Sequence, residues 1–300
     1  KLEQVLPSDD TEEYFQAISS TLLDNSDSVL FTVTTLPGYL EKLNNRHSFD
    51  WRFYYGNGIL ASRIGNSALA SSFFNRALDR DTTIELPLRL AAYYLQSRNF
   101  DSAVSLLKGY ENDFPKDSRI PLYIGIAFSG DNKYSEALPY LQRAISLDGE
   151  NIDGWVQLGI VYDHLKLIDS SDASYENALK IDPTNALINN NYAYSLSVRG
   201  KQLDRALSMA EKAVNAQPEN TSYRDTYGWV HYQLGNYKQA LDNLLKATEN
   251  SEASATILEH LGDAYLKNGS SELAREAYNK ALEKSPDRHS VLDRLKELKK

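Results

Sequence analysis

Three columns of small residues recur together along this 300-residue chain at intervals of 33 to 35 residues. A period of that size confines a chain to architectures in which each unit buries its apolar face against the next. The first column is Gly58, Ala91, Gly125, Gly159, Ala193, Gly228 and Gly262. The second is Ala70, Ala103, Ala137, Ser171, Ala206, Ala240 and Ala274, and the third is Ala77, Tyr110, Ala144, Ala178, Ala213, Ala247 and Ala281. Tyr110 is the one large exception.

Within one period the apolar spacing is helical. Trp155, Leu158, Gly159 and Tyr162 share one face, and Tyr175, Ala178, Leu179 and Ile181 share another. Between such stretches lies a further column, Gly65, Arg98, Asn132, Lys166, Gly200, Gly235 and Gly269. Its Gly and Asn content predicts a left-handed residue just past a helix end. Pro115, Pro183, Pro218 and Pro286 close the period, because a fixed φ and a missing N–H stop the second helix. Each unit therefore reads helix, turn, helix, turn. Antiparallel helices approach closely only where one presents Gly or Ala, so Gly159→Leu should overpack the hairpin by roughly 1–3 kcal/mol.

Trp155, Leu158, Gly159, Tyr162, Tyr175, Ala178 and Pro183 resemble the tetratricopeptide repeat (TPR) pattern, as do Leu261, Gly262, Tyr265, Ala274, Tyr278, Ala281 and Pro286. The resemblance implies an all-α fold, a right-handed α-α superhelix of about seven helix-turn-helix units with capping helices. Its units span 51–83, 84–117, 118–151, 152–185, 186–220, 221–254 and 255–288. Ser171, Tyr110 and Pro139 depart from the pattern locally. Segment 1–50 is out of phase and reads as an N-terminal helical cap or a degenerate repeat. Residues 289–300 read as a C-terminal capping helix, with Ser290-Val291-Leu292-Asp293 as a capping box and Val291, Leu292, Leu295 and Leu298 as its apolar stripe.

In the family, the first helix of every unit lines a concave groove through its second, fifth, ninth, twelfth and thirteenth positions. Carried over, units 1 to 3 supply Arg52, Tyr55, Arg63, Leu88, Arg119 and Leu122. Units 4 to 7 supply Asp153, Asp163, His164, Asn190, Tyr194, Asp225, Trp229, Tyr232, Glu259 and Asp263. The groove would run from basic to acidic and aromatic, a polarity able to orient an extended peptide. Trp229 and Tyr232 are the expected aromatic anchors, and Trp229→Ala should weaken partner binding with little change in melting temperature. Packing of Trp229 as core between units 5 and 6 is the alternative. Two specialised family modes do not transfer. The fifth positions hold no lysine for a carboxylate clamp, and the sixth is Asn only at Asn191.

Composition narrows the function. A net charge of −9 gives no electrostatic reason to expect nucleic acid. No apolar run reaches the length of a membrane span, and zero cysteines exclude disulfides and thiolate zinc sites. Gly56-Asn57-Gly58-Ile59-Leu60-Ala61 matches a dinucleotide fingerprint only by letters, since it lies in a repeat helix with no strand before it. The five histidines have no ligand spacing, and no nucleophile elbow or P-loop is present. No cofactor or metal is expected. Asn220 and Asn268 are formal glycosylation acceptors.

The expectation is a non-catalytic scaffold that holds a protein or peptide partner and assembles a multi-protein complex. A self-associating structural solenoid (a homo-oligomer) and a regulatory region of a larger enzyme are the alternatives. Asn191-Tyr192-Ala193-Tyr194, Leu203-Asp204-Arg205-Ala206 and Tyr227-Gly228-Trp229 resemble TPR proteins of bacterial cell envelopes. That resemblance implies a periplasmic or envelope location, exported and lipid-anchored upstream of residue 1. A cytoplasmic location is the alternative.

Overall fold

The computed structural model describes residues 51–63, 65–249 and 253–298. The cap expected over 1–50 lies outside them. Fifteen helices and no strands form the described residues. They are α1 (Trp51–Arg63), α2 (Ser67–Leu78), α3 (Glu85–Gln96), α4 (Phe100–Lys108), α5 (Arg119–Gly130), α6 (Tyr134–Leu147), α7 (Ile152–His164), α8 (Ile168–Ile181), α9 (Ala186–Val198), α10 (Leu203–Ala216), α11 (Thr221–Gln233), α12 (Tyr237–Lys246), α13 (Ala255–Lys267), α14 (Ser271–Lys284) and α15 (His289–Glu297). The fold is all-α, as the repeat predicts. The described residues divide into two compact units, those in 51–97 with 105–114, and those in 98–104 with 115–298.

All seven residues of the turn column have positive φ: Gly65 77°, Arg98 58°, Asn132 59°, Lys166 63°, Gly200 61°, Gly235 81° and Gly269 82°. At six of them the next amide reaches back into the preceding helix, as Leu167 N–H does to the Tyr162 carbonyl at 2.9 Å and Asn236 N–H does to the His231 carbonyl at 2.9 Å. That bond is the Schellman closure, and it satisfies carbonyls the helix end leaves open. Arg98 and Lys166 adopt the positive φ without glycine, so position in the repeat outweighs residue preference there.

The helix starts follow a column that the sequence reading did not pick out. Asn151 caps α7 by accepting from Gly154 N–H at 2.8 Å. Asn185, Asn220 and Ser254 cap α9, α11 and α13 in the same way. The capping box at Ser290 is corrected. The N-cap of helix α15 lies two residues earlier, at Arg288, which makes no side-chain cap bond, and the Ser290 hydroxyl donates to Glu259 Oε1 at 2.7 Å instead. A carboxylate is a stronger acceptor than the hydroxyl is a cap.

In the first compact unit, α1 packs on α2 around Tyr54, Phe73, Phe74, Leu86 and Leu90. In the second, the hairpins α5–α6, α7–α8, α9–α10, α11–α12 and α13–α14 follow one another. Each second helix also meets the next first helix, and successive first helices α5, α7, α9, α11 and α13 lie side by side. The cores are therefore shared between neighbours. One cluster joins Tyr175 of α8, Tyr192 and Leu196 of α9, Met209 of α10 and Val230 of α11.

The first small column is where the hairpins close. A Cβ on Gly159 would stand 2.6 Å from the Tyr175 ring, and one on Gly125 would stand 2.6 Å from Leu141. Tyr110, the exception in the third column, escapes the conflict because α4 has already ended at Lys108, leaving its ring in a turn beside Phe114. Helix α6 runs through Pro139. At the C-terminus, Val291 of α15 is fully buried against Ala274 and Tyr278, with Leu295 and Leu298 beside it. No helix among the described residues is long and apolar enough to cross a membrane.

Candidate functional site

The row of first helices sets the surface on which the expected binding residues fall. Six of them come together on α9, α11 and α13. Trp229 stacks on Tyr232 with centroids 4.8 Å apart and planes at 5°. Its other neighbour is His260 of the next first helix, at 4.0 Å and 15°. Tyr194 lies 6.3 Å from the same imidazole. His260 in turn holds Asp225, Nδ1 to Oδ1, at 2.9 Å, and both are buried.

Glu259 and Asp263 complete the cluster. Arg288 binds Glu259 Oε2, and Arg294 binds Glu259 Oε1 at 2.5 Å. Asp263 Oδ1 accepts from the Tyr278 hydroxyl at 2.6 Å and lies 3.0 Å from Arg294 Nε. Burial works against ionisation of Glu259, yet the bonds from Ser290, Arg294 and Arg288 outweigh it and hold the carboxyl below its ordinary range. Asp263 is more deeply buried, and burial pushes its carboxyl up despite Tyr278 and Arg294. The acidic end of the expected groove is thus compensated internally: the cap helix and the turn before it bring two guanidiniums to these carboxylates. Sequence reading missed Arg288, Arg294 and His260 as partners, because the pairs are 29 to 35 residues apart.

The remaining residues stand apart from this cluster. Tyr55 is in the first unit, wedged between Trp51 and Phe74 at 6.3 and 6.2 Å, and burial pushes its phenol up. Arg119 grips Asp117 with two bonds, 3.0 and 2.6 Å long, which hold that carboxyl below its usual range. Leu88 and Leu122 are core residues. Arg63 and Asp153 are exposed. Asn190 is buried. It donates to Asn191 Oδ1 at 3.1 Å, and its own Oδ1 has no partner. Asp163 and His164 lie at the end of α7, where His164 stacks on Tyr134 at 4.0 Å and 6° and burial, aided by Lys166, pushes its imidazole down toward the neutral form. Both formal glycosylation asparagines are engaged, Asn220 as an N-cap and Asn268 through bonds to the Tyr237 and Ala264 carbonyls.

Family profiles described as tetratricopeptide repeat match residues 152–185, 174–208 and 227–289. Those stretches carry the hairpins that build the aromatic and acidic cluster. Residues 152–208 and 227–289 of the chain carry tetratricopeptide repeats. A TPR protein from Parabacteroides merdae has a similar fold, with a TM-score of 0.65 at 13% identity over 83% of this chain and 99% of that one. The Cut9–Hcn1 structure of the APC/C gives 0.65 at 16% identity over 87% of this chain and 52% of that one. Among curated sequences, the photosystem I assembly protein Ycf3 of Synechococcus sp. (strain CC9605) is 35% identical over 92 residues, 28% of this chain and 53% of its own. The BBSome complex member BBS4 of Bos taurus is 29% identical over 118 residues, 37% of this chain and 21% of its own. The TPR region here thus spans between a fifth and about half of these curated relatives.

Proposed function

We propose that this TPR protein is a non-catalytic scaffold whose row of first helices holds an extended segment of a protein partner. One observation carries the reading. Apolar and aromatic side chains that could have been buried stay at the surface of the first helix α9, where Leu187 is 40%, Tyr194 37% and Val198 57% exposed. An apolar strip on a pre-formed surface is what a protein partner's anchor residues fill. That Ycf3 is a photosystem I assembly protein and BBS4 a member of the BBSome complex accords with a scaffold. The finer reading, an assembly in a bacterial cell envelope, rests on the resemblance of residues 191–194, 203–206 and 227–229 to envelope TPR proteins, and fractionation of the native source tests it.

The experiment for the scaffold is site-specific photocrosslinking. A photoreactive residue in place of Tyr194 should capture a partner peptide, while one in place of Lys212, an exposed position on second helix α10, should not. Equal capture at both positions, or capture only at Lys212, overturns the reading.

A further inference from the structure

The fifth unit departs from its neighbours in two columns. At the tenth position of the units stand Leu60, Tyr93, Ala127, Val161, Val230 and Ala264, but Ser195 in the fifth. At the thirteenth stand Arg63, Gln96, Gly130, His164, Gln233 and Lys267, but Val198 in the fifth. The polarity is inverted: the hydroxyl is inside and the aliphatic side chain is outside. Ser195 is 6% exposed, and its Oγ has no hydrogen-bond partner. Val198 is the most exposed large hydrophobic among the described residues. The unsatisfied buried hydroxyl disfavours folding, and the two residues line one cleft.

That cleft, about 490 Å³, opens between α7 and α9. Ile160, Tyr194 and Val198 give it apolar walls, Tyr175 and Ile168 reach in from α8, and Asp163, Lys166 and Ser195 add polar groups. The size and the mixture suit a bound side chain with a few fixed polar contacts. Charge favours one sign at the mouth. Arg199 is spoken for by Asp172 at 2.6 Å, Asp163 is near the Tyr175 phenol and Arg199, and the His164 imidazole is biased toward neutrality. Lys166 is exposed and makes no ion pair among the described residues. On the other side Tyr194, which lines the cleft, has its ring 6.3 Å from His260 of the aromatic cluster.

We infer that this cleft is the anchor pocket for the partner segment: it takes one aliphatic or aromatic side chain whose neighbour in the partner is acidic and pairs with Lys166. The inference rests on the scaffold reading and adds the chemistry of the segment. Val198, exposed in the free protein, then has a cover.

A displayed library of random peptides, selected on the full chain, tests it. The selected peptides are synthesised, their affinity is measured by fluorescence anisotropy, and the isoleucine methyl resonances are followed by NMR. Selected sequences should share an apolar residue beside Asp or Glu, and should move the Ile160 and Ile168 signals. Val198→Gln, which installs the residue found at the same position in units 2 and 6, should weaken them about tenfold with an unchanged melting curve. Lys166→Glu should reverse the preference for the acidic neighbour. Peptides that bind with Val198→Gln and Lys166→Glu at wild-type strength, or that carry no apolar residue, overturn the pocket and leave the scaffold reading standing. Failure to select any peptide, together with failure of the Tyr194 crosslink, overturns both.

Discussion

Arg294 spans two carboxylates one helical turn apart, with Nη1 2.5 Å from Glu259 Oε1 and Nε 3.0 Å from Asp263 Oδ1. The cap helix is therefore tied to the last repeat by charge as well as by the apolar contact of Val291. Removing one member of a buried pair leaves the others uncompensated. Arg294→Ala should cost about 3 kcal/mol, and urea unfolding would show it. A loss below about 0.5 kcal/mol would mean that Arg288 and Tyr278 suffice.

The same pair sets the acid limb of stability. Glu259 is held below its ordinary value of 4.5 in the folded chain, so its contribution is complete above that value and is lost as pH falls through the depressed one. Asp263 acts in the opposite direction. Its raised value means the folded state binds a proton more readily, and its contribution declines as pH rises from the ordinary 3.8 toward that value. Glu259→Gln should therefore flatten the loss of stability below pH 4.5, measured by unfolding at pH values from about 3 to 7. An unchanged slope would show that Glu259 is not the group responsible.

Trp229 carries a larger structural load than its position in the repeat suggests. Its indole is enclosed by His260 and Tyr232, and its Nε1 is buried without an acceptor. Two stacked aromatic contacts at about 0.5–1.5 kcal/mol each, plus the lost burial, predict that Trp229→Ala lowers stability by about 2 kcal/mol. The expectation of a nearly unchanged melting temperature is revised accordingly. Calorimetry on the purified variant checks it.

What was legible follows from what repeats. The left-handed turns recur in every unit and the small columns in nearly all, so noisy examples reinforce one another, and even Arg98 and Lys166 could be placed by phase alone. The contacts of the candidate site do not recur. His260 with Asp225, Arg294 with Glu259, and Ser195 beside Val198 on the α9 wall of a cleft each occur once, and a periodic pattern hides them. The columns do record the last of these, because Ser195 and Val198 break polarity where their counterparts keep it. The capping box at Ser290 failed for a related reason: the local motif was outcompeted by a carboxylate 31 residues away.

Gly235 isolates the backbone part of the turn. Its φ is 81°, and a Cβ there would meet nothing within 4 Å. Gly235→Ala then costs only the left-handed penalty, about 1–2 kcal/mol. Lys166→Gly, at φ 63°, should move stability the other way by a smaller amount, since glycine's unfolded-state entropy offsets part of the gain. Thermal melts of both variants test the pair. A neutral Gly235→Ala would mean that the turn relaxes out of the left-handed region.

Gly159 isolates the steric part of the hairpin. The Tyr175 ring that its Cβ would strike at 2.6 Å is itself stacked on Tyr192 with centroids 5.0 Å apart, so it cannot retreat without breaking a second contact. Gly159→Ala should lose roughly 1–3 kcal/mol. Tyr175→Leu should also destabilise, by removing the stack, but Leu141 already fills the corresponding place opposite Gly125, and a leucine there leaves room to adjust. The double variant should accordingly be more stable than the sum of the two losses predicts, with a coupling of about 1 kcal/mol. Strict additivity in chemical denaturation would show that the glycine column answers to something other than the ring it faces.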